Sequence, residues 1–167
     1  MAKISLDGNP CETSGELPKL GTQAPDFSVT KTDLKDVKLS EFKGRKVLLN
    51  IFPSIQTGVC SSSARTFNQK LDEIQNVVAI CISKDLPFSH HRFCEAERIN
   101  NLIMASQYKN SSFSDNYKVE IISGPFEGLF SRAVIVIDEN SNVIYTEQVP
   151  EIGNEPNYEK ALDALRK

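Results

Sequence analysis

Three continuous apolar runs dominate the hydrophobic pattern of the chain. They are KVLLNIF at 46–52, VVAICI at 77–82 and RAVIVI at 132–137. Runs without alternating polar positions are typical of strands that are buried on both faces of a sheet. Shorter apolar runs predict further strands at 27–30, 37–39, 103–105 and 143–149.

Helical periodicity appears between these strands. One predicted helix carries its apolar residues at steps of four, three, four and three, which places them on one face. These residues are Cys60, Ala64, Phe67, Leu71 and Ile74. Pro87 suits the first position of a second helix, expected to run to about Asn101. One helical turn near Ser112 within an otherwise irregular segment (107–130) and an amphipathic helix at 158–167 complete the pattern.

The order of these elements predicts an α/β protein. Strands alternate with helices through the middle of the chain, and a hairpin and a final helix follow. This pattern favours a mixed central sheet flanked by helices. Asp7-Gly8-Asn9 is strong turn chemistry and predicts a small N-terminal hairpin that spans residues 3–19. We expect a single domain over 1–167, with residues 1–20 as an extension.

Composition narrows the classes of function. The net charge is −3 and the basic residues are scattered, so neither a nucleic acid nor a membrane surface is expected as a partner. The N-terminus lacks the apolar core of a secretory signal, and a cytoplasmic protein is expected. The four cysteines (Cys11, Cys60, Cys81 and Cys94) form no CxxC pair. In a reducing compartment such cysteines are core thiols, metal ligands or catalytic groups.

Cys60 has the position of a reactive cysteine. It follows a buried strand and lies at the expected N-terminus of a helix, where free amide groups and the helix dipole favour a thiolate. The thiolate is the nucleophilic form of cysteine. Thr57, three residues earlier, is suited to cap this helix.

The residues around Cys60 resemble a known family. Pro53, Thr57 and Cys60 form the Pro-x-x-x-Thr-x-x-Cys motif of the peroxiredoxins, and NIFPSIQTGVC, CISKDLPF, RFC and SRAVIVIDE resemble the thiol peroxidase subfamily over nearly the whole chain. The resemblance implies a thioredoxin-like fold. It also implies that Cys60 is the peroxidatic cysteine and that Thr57 directs its hydroxyl at the thiolate and the peroxide oxygens. Arg132 would stabilise the thiolate and the leaving oxygen, and Pro53 would shield the thiolate from water.

The resemblance also implies the rest of a catalytic cycle. Cys94 would be the resolving cysteine, so the sulfenic acid of Cys60 would be converted into an intramolecular disulfide. Thioredoxin would reduce that disulfide, and the substrates would be hydrogen peroxide and alkyl or lipid hydroperoxides. A homodimer is implied, and no cofactor or metal. Glu95 and Arg98 stand where relatives usually have glycine. They add side chains beside the resolving thiol, which bears on the rate of the resolving step and on the preferred partner.

Three other interpretations compete with a peroxidase. His90, His91 and Cys94 form an HHxxC cluster, but consecutive helical residues point about 100° apart and rarely bind one ion. We expect two exposed histidines instead. A peroxide sensor that passes oxidation to a partner protein would share the reactive Cys60. A thioredoxin-type oxidoreductase is disfavoured because this chain lacks the CxxC pair of that class.

The two other cysteines have no predicted catalytic role. Cys81, inside an apolar strand, is expected to be a core thiol, and Cys11 has no assigned role.

Overall fold

A computed structural model describes the whole chain, residues 1–167. Its strands lie at Lys3–Leu6 (β1), Asn9–Glu12 (β2), Ser28–Lys31 (β3), Asp36–Lys38 (β4), Lys46–Ile51 (β5), Val77–Ser83 (β6), Ile103–Ser106 (β7), Ala133–Ile137 (β8) and Val143–Gln148 (β9). The α-helices are Gly58–Lys70 (α1), Pro87–Glu97 (α2), Ser112–Tyr117 (α3) and Tyr158–Arg166 (α4). Short 3-10 turns occupy Leu39–Phe42 and Leu71–Glu73.

The strands form a hairpin and a mixed sheet. β1 and β2 pair alone, and the other seven strands follow the order β4-β3-β7-β6-β5-β8-β9. β5 and β6 are parallel, as are β6 and β7, whereas β8 is antiparallel to β5. The predicted thioredoxin-like α/β fold with an N-terminal hairpin is confirmed. None of the helices combines the length and apolar character needed to span a bilayer.

Alternating residues of the central strands face two different layers. Leu49 and Ile51 of β5 pack in a core that includes Phe113 and Tyr117 of α3, whose rings stack at 4.8 Å. Leu48, on the other face of β5, packs beneath α1 and α4. Because both faces are covered by apolar side chains, the central strands are continuous apolar runs.

A third apolar cluster lies where α1 begins and α2 passes. It contains Phe52, Ile55, Cys60, Ala64, Cys81 and Met104, with Phe93 and Cys94 packed against it. The fold therefore brings three of the four cysteines to one region. Cys11 lies instead in the hairpin cluster with Ile4, Ile121 and Ile152.

Two predicted boundaries were wrong. Helix α2 ends at Glu97 and not near Asn101, because Arg98 adopts a left-handed conformation (φ 53°) and the amides of Arg98 and Ile99 both donate to the Cys94 carbonyl. This arrangement satisfies the free carbonyl at the helix end. The hairpin strands stop at Glu12, and the chain to residue 19 is irregular apart from an isolated bridge.

The hairpin is attached to the segment after β9. The Glu151 carboxylate accepts hydrogen bonds from the Ser5 hydroxyl at 2.5 Å and from the Asp7 amide at 2.8 Å. The next residue, Ile152, places its carbonyl oxygen 2.7 Å from Nε of Arg132. The N-terminal extension thus supports the segment that orients Arg132.

Candidate active site

Cys60 is the third residue of α1 and is completely buried. Thr57 is the N-cap residue, in an extended conformation, and its carbonyl accepts the Ser61 amide at 3.0 Å. The preceding loop leaves β5 at Ile51 and turns sharply, with the Thr57 amide bonded to the Ser54 carbonyl. The Cys60 side chain has no exposed surface and lies among apolar residues. This is the strand-to-helix junction that the sequence predicts.

Arg132 is the polar partner of Cys60. Its Nη2 donates to the Cys60 sulfur at 3.3 Å, and its Nε donates to the Ile152 carbonyl. The residue is 2% exposed, and its Nη1 is buried without a partner. The pairing of Ile51 with Ala133 across β5 and β8 sets this position, because Arg132 then lies beside the end of β5, where the cysteine loop begins.

Thr57 and Pro53 lie in the same loop with different environments. The Thr57 hydroxyl donates to the Ser54 carbonyl at 3.0 Å, and it makes no side-chain cap to α1. Its proton is therefore directed away from the sulfur in this state, which differs from the orientation expected for it. Pro53 is buried.

Cys94 lies in the last part of α2 and is partly exposed. Its side chain packs against the cluster that contains Cys60, and neither thiol is bonded to another. Burial raises the pKa of the Cys94 thiol above its usual value. An open groove of about 260 Å³ borders this thiol, and Lys31, Asp33, Ile99 and Met104 are among its lining residues.

Cys81 has the environment of a structural thiol. It is fully buried in β6, opposite Asn50, whose Nδ2 donates to its sulfur at 3.6 Å. Burial is the main cause that raises the pKa of the Cys81 thiol, to about 12, and the neighbouring Cys94 adds to this effect. A thiol with this pKa is almost entirely protonated at neutral pH and reacts poorly with peroxide.

Asp85, which no sequence pattern indicated, organises the loop before Cys60. Its carboxylate accepts hydrogen bonds from the Ser54 hydroxyl (2.8 Å), the Ile55 amide (2.7 Å) and the Ser83 hydroxyl (2.6 Å). Burial alone raises the pKa of this carboxyl. The His90 ring, whose Nε2 lies 3.7 Å from the carboxylate, and the three donors outweigh burial and lower the pKa to about 2. An acid two residues past the end of a buried strand was the available signal.

The prediction of two exposed histidines was wrong for His90. Its ring is fully buried on the inner side of α2, and Nε2 lies 2.9 Å from the Ser83 hydroxyl. His91 is exposed and lies 2.9 Å from the Glu95 carboxylate, one turn along the helix. The two rings therefore face different surroundings. His90 is buried because α2 packs on β7 with this side inward. Helix periodicity alone did not show which side of α2 faces the sheet.

Known proteins resemble this chain over nearly its full length. The redoxin family matches residues 19–162. The thiol peroxidase of Mycobacterium tuberculosis strain H37Rv is 49% identical over 165 residues, which cover 99% of each protein. The structure of a peroxiredoxin-like protein from Aquifex aeolicus superposes with a TM-score of 0.93 at 33% identity, covering 98% of this chain and 95% of that one.

A more distant structure agrees in fold. The thiol peroxidase from Chromobacterium violaceum superposes with a TM-score of 0.90 at 21% identity, and the match covers 98% of this chain and 95% of that chain. By its family match, its full-length similarity and its fold, the chain belongs to the redoxin family and, within it, to the thiol peroxidases.

Proposed function

We propose that Cys60 is the nucleophile that reduces hydroperoxides and that Arg132 stabilises its thiolate. The observation that carries this proposal is the burial of Arg132 without any carboxylate partner. An arginine side chain stays protonated in proteins, and a buried charge without a counter-charge is strongly unfavourable. Cys60 is the one ionisable group that accepts a hydrogen bond from Arg132, so the thiolate supplies the missing negative charge.

The arrangement suits attack on an O–O bond. The thiolate sulfur attacks the terminal oxygen of the hydroperoxide, so an S–O bond forms while the O–O bond breaks. The leaving oxygen departs with the electron pair and takes a proton, which yields water or an alcohol, and Cys60 becomes a sulfenic acid. Negative charge builds up on both oxygens, and the unpartnered Nη1 of Arg132 is available to stabilise it.

The surroundings of the Cys60 sulfur indicate which hydroperoxides can reach it. The sulfur is fully buried, whereas Gly58 is exposed and Thr57 and Val59 are half-buried. Peroxide therefore enters through this first turn of α1 and the loop before it. We propose hydrogen peroxide and organic hydroperoxides, because the apolar side chains around Cys60 suit an alkyl group. Once the Thr57 hydroxyl leaves the Ser54 carbonyl, it becomes a further donor to the peroxide.

Cys94 resolves the sulfenic acid in our proposal. Its sulfur attacks the Cys60 sulfur, the S–S bond forms, the S–O bond breaks and water leaves. The two cysteines lie in separate helices, one at the start of α1 and the other near the end of α2. A disulfide needs Cα atoms within about 7 Å. We expect local unwinding at 58–63, at 90–98 or at both, which amide hydrogen exchange on the two redox forms would detect as lost protection.

Thioredoxin is the reductant that we propose for the disulfide. The groove beside Cys94 gives a partner protein a route to that sulfur, whereas Cys60 is buried. A dithiol would reduce the bond and become a disulfide itself. The same cycle needs a reducing compartment, and we propose the cytoplasm.

We also propose that the protein is a homodimer with its active sites near the interface. Leu86 and Phe88, at the start of α2, are 51% and 63% exposed. They lie next to Asp85, which holds the Cys60 loop. We assign these two large exposed apolar side chains to the contact surface between the subunits. Sedimentation at micromolar concentration would contradict a dimer if it showed only an 18.6 kDa species.

The decisive experiment is peroxide consumption in the presence of thioredoxin and its reductase. Wild type should turn over hydrogen peroxide and an alkyl hydroperoxide, and Cys60→Ser should not. Cys94→Ser should complete one oxidation of Cys60 and then stop. Substantial turnover by Cys60→Ser would contradict the proposal. A wild type that is oxidised by peroxide but is never recycled by any thioredoxin would instead favour a peroxide sensor.

A further inference from the structure

A chain of buried hydrogen bonds joins the Cys60 loop to the helix that carries Cys94. Asp85 lies at its centre and holds Ser54 and the Ile55 amide on the side of the loop. On the other side, the Asp85 carboxylate accepts a hydrogen bond from the Ser83 hydroxyl at 2.6 Å. The same hydroxyl oxygen lies 2.9 Å from Nε2 of His90. His90 precedes Cys94 by one helical turn and lies on the same side of α2.

The direction of each hydrogen bond follows from counting protons. The hydroxyl of Ser83 has one proton, and an ionised Asp85 can only accept, so that proton goes to Asp85. Ser83 must then accept from His90, which places the His90 proton on Nε2. The Asp85 amide also donates to the Ser83 oxygen, at 3.2 Å. Ser83 is thereby saturated, and His90 is the one donor that reaches this network from α2.

The other ring nitrogen of His90 makes no such bond. Nδ1 is buried and has no partner. A buried acceptor without a donor destabilises the arrangement that contains it. Opening of the first turns of α2 would expose Nδ1 to water and remove this cost. The ring therefore holds α2 through its hydrogen bond to Ser83 and its 3.7 Å contact with the Asp85 carboxylate, and the unpartnered Nδ1 favours release once that hydrogen bond is broken.

We propose that Asp85 and His90 are positioning residues that couple the two cysteines: Asp85 holds the Cys60 loop in place for the attack on peroxide, and the His90–Ser83 hydrogen bond keeps α2 closed until Cys94 is needed. This inference rests on the proposed function of Cys60 and Cys94. It adds that the resolving step begins with the rupture of one identified hydrogen bond. Neither residue touches the reacting atoms.

The two residues should then affect different steps of one turnover. The loss of the His90 donor removes a bond that must break before Cys94 reaches Cys60, so disulfide formation becomes faster. The attack on peroxide is unchanged, because the loop remains bonded to Asp85. A faster resolving step also leaves the sulfenic acid less time to react with a second peroxide and form sulfinic acid.

The proposed coupling is tested by rapid mixing of the protein with peroxide. The sulfenic acid and the disulfide are quantified separately by mass spectrometry. In His90→Leu the disulfide step should accelerate about fivefold, the change expected from the loss of one net hydrogen bond. Less sulfinic Cys60 should accumulate at high peroxide. His90→Gln places an amide donor near the position of Nε2 and should restore the wild-type rate. His91→Leu, on the exposed side of the same turn, is the matched control and should match wild type in both steps.

Asp85→Asn tests whether Asp85 holds the Cys60 loop in place for the attack on peroxide. A weakened anchor for Ser54 and Ile55 should slow the peroxide step by about tenfold, since small misplacement of reacting groups has large kinetic effects. It should also accelerate disulfide formation. If His90→Leu does not fold, His90→Asn serves instead, because its shorter amide cannot reach Ser83, and the same acceleration is expected.

The outcomes separate this inference from the proposed function. A wild type in which peroxide oxidises neither Cys60 nor Cys94 would contradict the proposed function itself. A wild type that forms the disulfide, together with a folded His90→Leu protein whose disulfide step is unchanged or slower, would overturn the coupling alone. Equal acceleration in His90→Leu and His90→Gln would also overturn it, because the donor would then have no role.

Discussion

Nη2 of Arg132 lies 3.3 Å from the sulfur of Cys60, although the two residues are 72 positions apart in the chain. The antiparallel pairing of β5 with β8 creates this contact, because it places Arg132 beside the loop that leads to Cys60. The guanidinium is buried, and its remaining hydrogen bond goes to a backbone carbonyl. The cysteine and the arginine are therefore complementary only in the folded protein.

Replacement of this arginine should slow the first chemical step. Arg132→Met retains much of the side-chain volume but removes the guanidinium that donates to the sulfur. We expect the rate of Cys60 oxidation to fall about 10²–10³-fold, the usual effect of losing one preorganised donor. Stopped-flow measurement of peroxide-dependent oxidation checks this, with Arg166→Met, on the exposed last turn of α4, as the control. A full rate in Arg132→Met would remove this residue from the mechanism.

Cys81 should prove to be structural. Cys81→Ala removes a buried sulfur from the cluster beneath α1, and we expect the free energy of unfolding to fall by about 1 kcal/mol as a small cavity forms. Turnover should stay close to that of wild type, because this thiol, with its pKa of about 12, takes no part in the cycle. Denaturant unfolding and a peroxidase assay test both points. Lost activity in a well-folded variant would show that Cys81 belongs to the reacting set.

The rate of disulfide formation should depend on pH. Burial raises the pKa of the Cys94 thiol, so little thiolate is present at neutral pH. Because the thiolate is the attacking form, the rate of disulfide formation should rise as pH increases through 7 and up to the raised pKa. Single-turnover kinetics between about pH 6 and 9 resolve this. A pH-independent resolving rate would mean that Cys94 already reacts as a thiolate or that helix opening limits the rate.

Asp85 should contribute stability that depends on pH. Its carboxyl has a pKa lowered to about 2 in the folded protein, against an ordinary value of 3.8. A lowered pKa gives stabilisation that is complete above the unfolded value and is lost as pH falls from about 4 to about 2, here about 2 kcal/mol. Denaturant unfolding of wild type and Asp85→Asn should differ by that amount at pH 7. The difference should shrink towards pH 2, and a difference that does not change with pH would contradict this assignment.

Replacement of Arg98, the residue at which α2 ends, by glycine should stabilise the folded protein. Arg98 is exposed and adopts φ 53°, a conformation that disfavours any side chain with a Cβ atom. Arg98→Gly removes this strain but increases the freedom of the unfolded chain, and we expect a net stabilisation of about 0.5–1 kcal/mol. Thermal unfolding measures it. Arg92→Gly, exposed within the same helix, should destabilise instead, and equal effects of the two changes would contradict the role of the backbone conformation.

Local patterns in the sequence determined most of the secondary structure. The apolar runs became β5, β6 and β8 because strands covered on both faces need no polar positions. The period of α1 placed Cys60 on its buried face, and Pro87 began α2. The end of α2 was not predictable from periodicity, because Arg98 is an ordinary helix former whose left-handed conformation depends on bonds to the Cys94 carbonyl.

The site required the tertiary structure wherever its parts come from distant elements. Sequence alone marked Cys60 as a helix N-terminal cysteine, because that position is local, and similarity to a family indicated Arg132 and Cys94. Only strand pairing buried Arg132 against the sulfur. Only the packing of α2 turned His90 inward towards Ser83 and made Asp85 a link between loop and helix. Hydrogen bonds between elements depend on distances that the order of residues does not contain, so the sequence determined the nucleophile and the tertiary structure decided its partners.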